Sequence, residues 1–123
     1  MERVTGIGGV FFRARDPEAL GTWYQSHLGI DLAPRDMTTP PWRSGEGVTV
    51  FAPFSQDTDY FPADRAFMLN FRVDDLDAML AQLRAAAIEV TREEVMDGIG
   101  RFARIHDPEG NPIELWEPAP EKP

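Results

Sequence analysis

One carboxylate, Glu114, is the residue of this chain with the clearest potential for chemistry. It interrupts an apolar run, from Pro112 to Trp116, that alternates in the manner of a strand. On a face shared with Phe51, Met68 and Trp116 it would lose hydration, and it could then act as a general base on an acidic C–H or orient a polar ligand group. The alternative is a carboxylate that pairs with a nearby arginine and does no chemistry.

The chain has two histidines and no cysteine, which restricts any metal or nucleophilic site. Without cysteine there is no thiol nucleophile, no disulfide and no Cys-based zinc site. His27 lies at the expected end of a helix, where a cation interacts favourably with the helix dipole. His106 shares strand parity with Phe102 and Arg104 just before a hairpin, so it could face a ligand or the rim of the sheet. We keep His106 as a secondary metal candidate.

An internal repeat supplies the elements that position these residues. The segments 12–16 and 71–75 align with coincident Phe, Arg and Asp, and each is followed by apolar residues at helical spacing. Asp16 and Asp75 stand where the two helices need an N-cap, and Gly29 stands where the first helix must stop. Arg13 and Arg72 are therefore equivalent positions of the two copies.

Strands are predicted around these helices at 6–15, 48–52, 66–74, 102–106 and 112–117, and another strand is expected to start near 29–32 and near 87–90. The segment 107–111 has the Pro and Gly content of a hairpin loop, and 34–47 is predicted to be a loop. We expect one α+β domain, 1–123, with module one at 6–54, a linker at 55–65 and module two at 66–118.

Alternation along the strands separates two faces. One is wholly apolar and is expected to pack against the helices: Val10, Phe12, Ala14, Leu69, Phe71, Val73, Ile113 and Leu115. The other mixes aromatic and polar groups, as ligand pockets do, and we predict its members to be the site: Gly9, Phe11, Arg13, Phe51, Met68, Asn70, Arg72, Glu114 and Trp116. A face exposed to water is the alternative. Large aromatics could form the mouth or a dimer interface: Trp42, Tyr60, Phe61 and Trp116.

Composition excludes several classes of partner. The formal net charge is −9, so phosphate backbones and anionic lipids are repelled, and we expect no nucleic acid or membrane partner. No apolar run approaches the roughly 20 residues needed to span a bilayer. The first strand is expected so close to Met1 that no signal peptide precedes it, and we predict a cytoplasmic protein.

The motifs together resemble a known superfamily. The segments 9–16, 23–29, 71–77 and 107–115 look like those of vicinal oxygen chelate proteins, which include glyoxalase I, bleomycin-resistance proteins and extradiol dioxygenases. The resemblance implies two tandem βαβββ modules that form a curved, cup-shaped mixed sheet with the helices outside. It also implies a homodimer, and it leaves open whether the modules pair within one chain or are swapped between two.

The resemblance further implies where a divalent metal would bind. Catalytic members use one side chain from each of four strands, and the corresponding positions here are Gly9, Phe51, Met68 and Glu114. Only Glu114 matches a family ligand, and a catalytic site needs about three protein ligands. We therefore expect no metal cofactor, with a divalent metal as the alternative. By the same resemblance, Arg13 is a candidate clamp for a ligand carboxylate.

These observations favour a glyoxalase-like or bleomycin-resistance-like protein that binds a small, possibly anionic or aromatic molecule in the cup, with a degenerate metal site. One alternative is a metal-dependent lyase, isomerase or dioxygenase of the glyoxalase I type. Another is a metal-free enzyme in which Glu114 is the general base.

Overall fold

The computed structural model describes residues 1–33, 36 and 38–120 of the chain. Its elements follow the order α1 (Pro17–Leu28), β1 (Leu69–Arg72), α2 (Leu76–Ala85), β2 (Arg92–Met96), β3 (Gly100–His106) and β4 (Pro112–Pro118). The predicted α+β class is confirmed. Parts of the predicted loop 34–47 and the last three residues lie outside the described residues.

Both helices begin where the sequence predicts. The Asp16 side chain accepts a hydrogen bond from the backbone N–H of Ala19, and Asp75 caps α2 in the same way through Ala78. Each cap satisfies one of the donors that a helix start leaves without a partner. Gly29 ends α1 in the left-handed conformation, with φ of 71°.

The sheet is open and mixed, with strand order β1-β4-β3-β2. β1 is parallel to β4, whereas β4, β3 and β2 pair antiparallel. Together with α2 these strands form the βαβββ unit predicted for the second repeat. β2 starts later than expected, because Ala87 takes a left-handed conformation with φ of 61° and turns the chain after α2.

The apolar face of the sheet packs against both helices, as predicted for the second repeat. The buried core comprises Leu20, Tyr24, Leu76, Leu80, Leu83, Ala103, Ile105, Ile113 and Leu115. Phe71, Val73 and Ala14 pack against this core from its edge. Because α1 contributes Leu20 and Tyr24, the first-repeat helix belongs to the same core as the second-repeat sheet.

The hairpin loop after β3 connects α1 to the sheet. Asp107 is buried and accepts hydrogen bonds from the Tyr24 hydroxyl at 2.7 Å and from the Asn111 side chain at 2.7 Å. The Glu109 carboxylate accepts from the backbone N–H groups of Arg15 and Asp16, at 2.6 and 3.1 Å. The loop therefore fixes the start and the middle of α1.

The strands predicted for the first repeat are not formed. Within the described residues, no strand covers 6–15, 29–32 or 48–52. Phe11 is 97% exposed and Phe51 is 86% exposed. Val10 is exposed as well, and Phe12 is half-exposed and contacts Tyr24 of the core edge to face. A strand exists through its hydrogen-bonded neighbours, and these segments have none among the described residues.

Neither helix in the described part of the chain has the length and hydropathy that a membrane crossing requires.

Candidate functional site

Pairing across the sheet arranges the mixed face in two rows of four residues. One row runs Arg92, Arg104, Glu114, Asn70, and the neighbouring row runs Glu94, Phe102, Trp116, Arg72. Side chains that are directly opposite on adjacent strands lie close enough to interact. The first row therefore places a carboxylate between a guanidinium and an amide, and the second places two aromatic rings between charged groups.

Glu114 lies at the centre of the first row and is 8% exposed. Its Oε1 accepts a hydrogen bond from Asn70 Nδ2 at 2.8 Å, and its Oε2 accepts one from the hydroxyl of Tyr60. Both oxygens of this buried carboxylate thus have donors, which offsets the cost of removing the charge from water.

Tyr60 comes from the segment that joins the two repeats and covers Glu114. Its ring lies 4.9 Å from the guanidinium carbon of Arg92 and 5.1 Å from that of Arg104, within the range of cation–π attraction. Phe54 stacks on it at 5.7 Å. Burial, followed by the hydrogen bond to Glu114 and the charge of that carboxylate, raises the pKa of Tyr60 to about 12. The phenol is therefore held in its neutral, donating form.

The two arginines differ in how their donors are used. Arg92 forms an ion pair with Glu94 at 2.8 Å and lies near the surface. Arg104 is 7% exposed and donates from Nη2 to the backbone oxygen of Tyr60 at 2.9 Å. Its Nε has no hydrogen-bond partner and is the one buried side-chain polar atom in the described residues that lacks one. A buried donor without a partner is costly and calls for an explanation.

Space for a ligand lies beside Tyr60. The cleft directly at Glu114 is filled, with Tyr60 forming part of its wall. An open depression of about 550 Å³ lies alongside, and it is lined by Thr58, Tyr60, Phe61, Arg92, Arg104 and His106 among others. This volume is within the usual range of about 300–1,000 Å³ for small-molecule sites.

Trp116 and Phe102 form an aromatic pair in the second row. Their rings stack at 6.0 Å with an interplanar angle of 3°, and Trp116 Nε1 donates to the backbone oxygen of Ile99 at 3.0 Å. Arg72, from the same row, donates to the backbone oxygens of Glu46 and Gly45 at 2.8 and 3.1 Å. Trp116 is buried, so it forms the floor of this face and not a mouth.

The structure brings together only part of the predicted site. Glu114, Asn70, Arg72 and Trp116 share one face, and half-buried Met68 directly precedes β1.

The first-repeat members are elsewhere: Gly9, Phe11, Arg13 and Phe51 lie on exposed segments. Among the described contacts, none of these four reaches Glu114 or the depression. Their part in a site remains a prediction.

The donor set does not fit a catalytic metal. The described residues contain no group of three or more His, Cys, Asp or Glu side chains that could hold a metal ion. Glu114 is hydrogen-bonded to a phenol and an amide, His106 lies on the wall of the depression, and His27 packs against Trp23 on α1.

The sequence reasoning missed Arg92 and did not give Arg104 a role. Arg92 was missed because no strand was predicted at 92–96. The run Arg92–Met96 does not alternate apolar and polar residues, so no local signal indicated a strand there. Tyr60 was predicted to lie at the mouth or in a dimer interface, since nothing local indicates that it contacts Glu114, 54 positions away.

Comparison with known proteins places this geometry in context. Residues 9–116 match the family model described as a glyoxalase-like domain. The antibiotic binding protein TnmS3 from Streptomyces sp. CB03234 is 29% identical, with 85% of this chain and 88% of that chain covered and a TM-score of 0.55. No curated protein matches this chain.

Two further solved structures share the fold at lower identity. Lactoylglutathione lyase from Agrobacterium tumefaciens is 18% identical, with 94% and 96% covered and a TM-score of 0.65. A bleomycin resistance determinant encoded on the transposon Tn5 is 20% identical, with 87% and 92% covered and a TM-score of 0.57. At these identities the likeness concerns the fold alone.

Proposed function

This chain belongs to the glyoxalase-like domain family, and from that premise we propose that it binds a small, partly aromatic molecule on the mixed face of its sheet. The observation that carries the proposal is Glu114, a buried carboxylate among arginine and aromatic side chains, covered by Tyr60, which also lines an open depression of about 550 Å³. Ligand sites contain a few polar groups that fix orientation, and the arginines beside the aromatic rings of Tyr60 and Phe61 provide such groups here.

Binding is favoured over metal-dependent catalysis. TnmS3, at 29% identity, is described as an antibiotic binding protein, which supports a binding role here. The donor set around Glu114 supports a metal-free site, because one carboxylate with phenol and amide neighbours falls short of about three ligands. Glu114 has both oxygens engaged by donors, and this favours an orienting role over that of a general base.

We propose in addition that the protein is a homodimer. The first-repeat segments expose large apolar side chains: Ile7, Val10, Phe11, Val48, Val50 and Phe51. Such a concentration is unusual for a surface that faces water and is typical of an interface. A second copy of this chain would cover these side chains, because it has the same unpaired apolar segments to contribute to an interface. A cytoplasmic location completes the proposal, since a chain without cysteine needs no oxidising compartment.

Glu114→Gln tests the binding role. A panel of antibiotics and small aromatic compounds is screened by thermal shift, and the dissociation constant of any binder is measured by calorimetry. We expect Glu114→Gln to weaken binding by about tenfold or more, the scale of a lost charge-assisted hydrogen bond, while circular dichroism shows an intact fold.

Glu93→Gln is the matched control, because Glu93 lies on the opposite face of the same sheet and pairs with Arg84 at the surface. It should leave the dissociation constant unchanged. Unaltered binding in Glu114→Gln, or a loss of fold as its only effect, would contradict the proposal. Stoichiometric Zn, Ni, Mn or Fe in protein purified without chelator would contradict its metal-free part.

A further inference from the structure

Tyr60 is placed as a ligand would be placed. It belongs to the joining segment 55–65, which contains no helix or strand, yet its hydroxyl donates to the buried Glu114 and its ring contacts Arg92 and Arg104. Each contact recognises one feature of a phenol. The carboxylate accepts from an acidic O–H, and the guanidinium groups attract the face of an electron-rich ring.

We infer that Tyr60 is a built-in substitute for the ligand, and that the ligand is a phenol, a hydroxylated aromatic compound that displaces Tyr60 from Glu114. This inference rests on the proposed function and adds the chemical class of the molecule bound. Glu114 Oε2 now accepts the hydrogen bond of the Tyr60 hydroxyl, and a ligand without a hydroxyl would leave this buried oxygen without a donor. Because an unpaired buried polar atom is costly, the site should discriminate strongly between hydroxylated and non-hydroxylated rings.

Displacement requires that few contacts hold Tyr60 besides those that a ligand replaces. Its backbone has a hydrogen bond to Thr58 Oγ1 at 3.2 Å and one from Arg104 at 2.9 Å, and Phe54 stacks on its ring at 5.7 Å. The neighbouring positions 62–64 are exposed. The depression borders the ring, so an outward movement of the segment joins that space to the place the ring vacates.

Arg104 Nε gives an independent indication of a missing ligand atom. It is buried, it belongs to a side chain that lines both the cleft at Glu114 and the depression, and it has no acceptor. Tyr60 uses the carboxylate and the ring contacts but leaves this donor free. A phenol with a further oxygen or nitrogen acceptor would use it, which fits a ligand larger than a tyrosine side chain.

The test uses p-cresol, the free form of the tyrosine side chain, and p-methylanisole, in which a methyl group replaces the donor hydrogen. Binding of both to the full chain is followed by NMR titration. We expect Tyr60→Ala to bind p-cresol at least about tenfold more tightly than the unmodified protein, because competition from its own phenol is removed. The same variant should prefer p-cresol to p-methylanisole by about tenfold.

Two further variants keep the test decisive. Tyr60→Phe retains the ring packing and should strengthen p-cresol binding in the same direction, by about threefold, since only the competing hydroxyl is lost. Phe67→Ala removes an aromatic side chain that is 82% exposed and lies outside the site, and it should leave p-cresol affinity unchanged.

The outcomes separate this inference from the function it builds on. Equal affinity of Tyr60→Ala for the two probes, or no gain over the unmodified protein, overturns the phenol assignment, even where Glu114-dependent binding of another compound persists. If neither the unmodified protein nor any variant binds an aromatic compound, the proposed function fails as well.

Discussion

Glu114 owes its chemistry to its neighbours and not to its own type. Alternation along the last strand predicted that it shares a face with Asn70, Arg72 and Trp116, and the register confirms this arrangement. The sequence did not indicate that a phenol would hold one of its oxygens. The pair of Tyr60 and Glu114 is therefore the feature that most directly determines what this face can bind.

The ionisation of Tyr60 follows from this pair. Its pKa is raised from an ordinary value near 10 to about 12, chiefly by burial and then by the Glu114 hydrogen bond. Between about pH 10 and about pH 12 the folded state keeps the phenol proton of Tyr60, whereas the unfolded state loses it. The contribution of Tyr60 to stability should thus be complete below about pH 10 and should disappear as the pH rises toward about 12.

Near-ultraviolet absorbance of tyrosinate measures this titration. The chain has two tyrosines, and burial with the Asp107 hydrogen bond also raises the pKa of Tyr24, so Tyr60→Phe identifies which signal belongs to Tyr60. Glu114→Gln should lower the pKa of Tyr60, because the negative charge of the acceptor is removed while an amide oxygen remains. Native protein in which Tyr60 ionises near 10 would refute the described contact.

Helix α1 is held in place by the hairpin loop between β3 and β4. Asp107 accepts from the Tyr24 hydroxyl and also from the backbone N–H groups of Glu109 and Asn111, so it shapes the loop and anchors the helix together. The sequence predicted both elements by their caps and turn residues. Their contact connects residues 83 positions apart and was not predictable from local pattern.

A double-mutant cycle measures this connection. Tyr24→Phe removes a buried hydroxyl that donates to a charged acceptor, and it should lower the free energy of unfolding by roughly 1.5–3 kcal/mol. Combined with Asp107→Asn, it should show a coupling energy of about 1–2 kcal/mol in urea denaturation. Effects that add to within about 0.5 kcal/mol would show that the two side chains act independently.

The two repeats differ in how many of their predicted strands are formed. The second forms a full βαβββ unit, whereas the first contributes α1 to the common core and leaves its remaining segments unpaired among the described residues. The module boundaries 6–54, 55–65 and 66–118 thus remain a prediction. The exposed apolar side chains of the first repeat are the reason for proposing a second copy.

Light scattering with size-exclusion chromatography tests the homodimer. We expect a mass of twice 13.8 kDa for the unmodified protein. Val50→Asp should shift the population toward the monomer, because it places a charge in the proposed interface, where Val50 is 70% exposed in the single chain.

Ala81→Asp adds the same charge on the exposed side of α2 and should leave the dimer intact. A monomer at all concentrations, or equal behaviour of the two variants, would contradict the proposed assembly.

The sequence by itself determined the class of fold, the start of both helices, the end of the first, the hairpin and the two faces of the second sheet. These features depend on caps, turn residues and alternation, which act over a few neighbouring positions. Only the tertiary structure decided that Tyr60 covers Glu114, that Arg104 is buried beside it, and that the described segments of the first repeat form no strands. These outcomes depend on contacts between residues far apart in sequence, and a local pattern carries no information about which distant group, or which copy of the chain, supplies the partner.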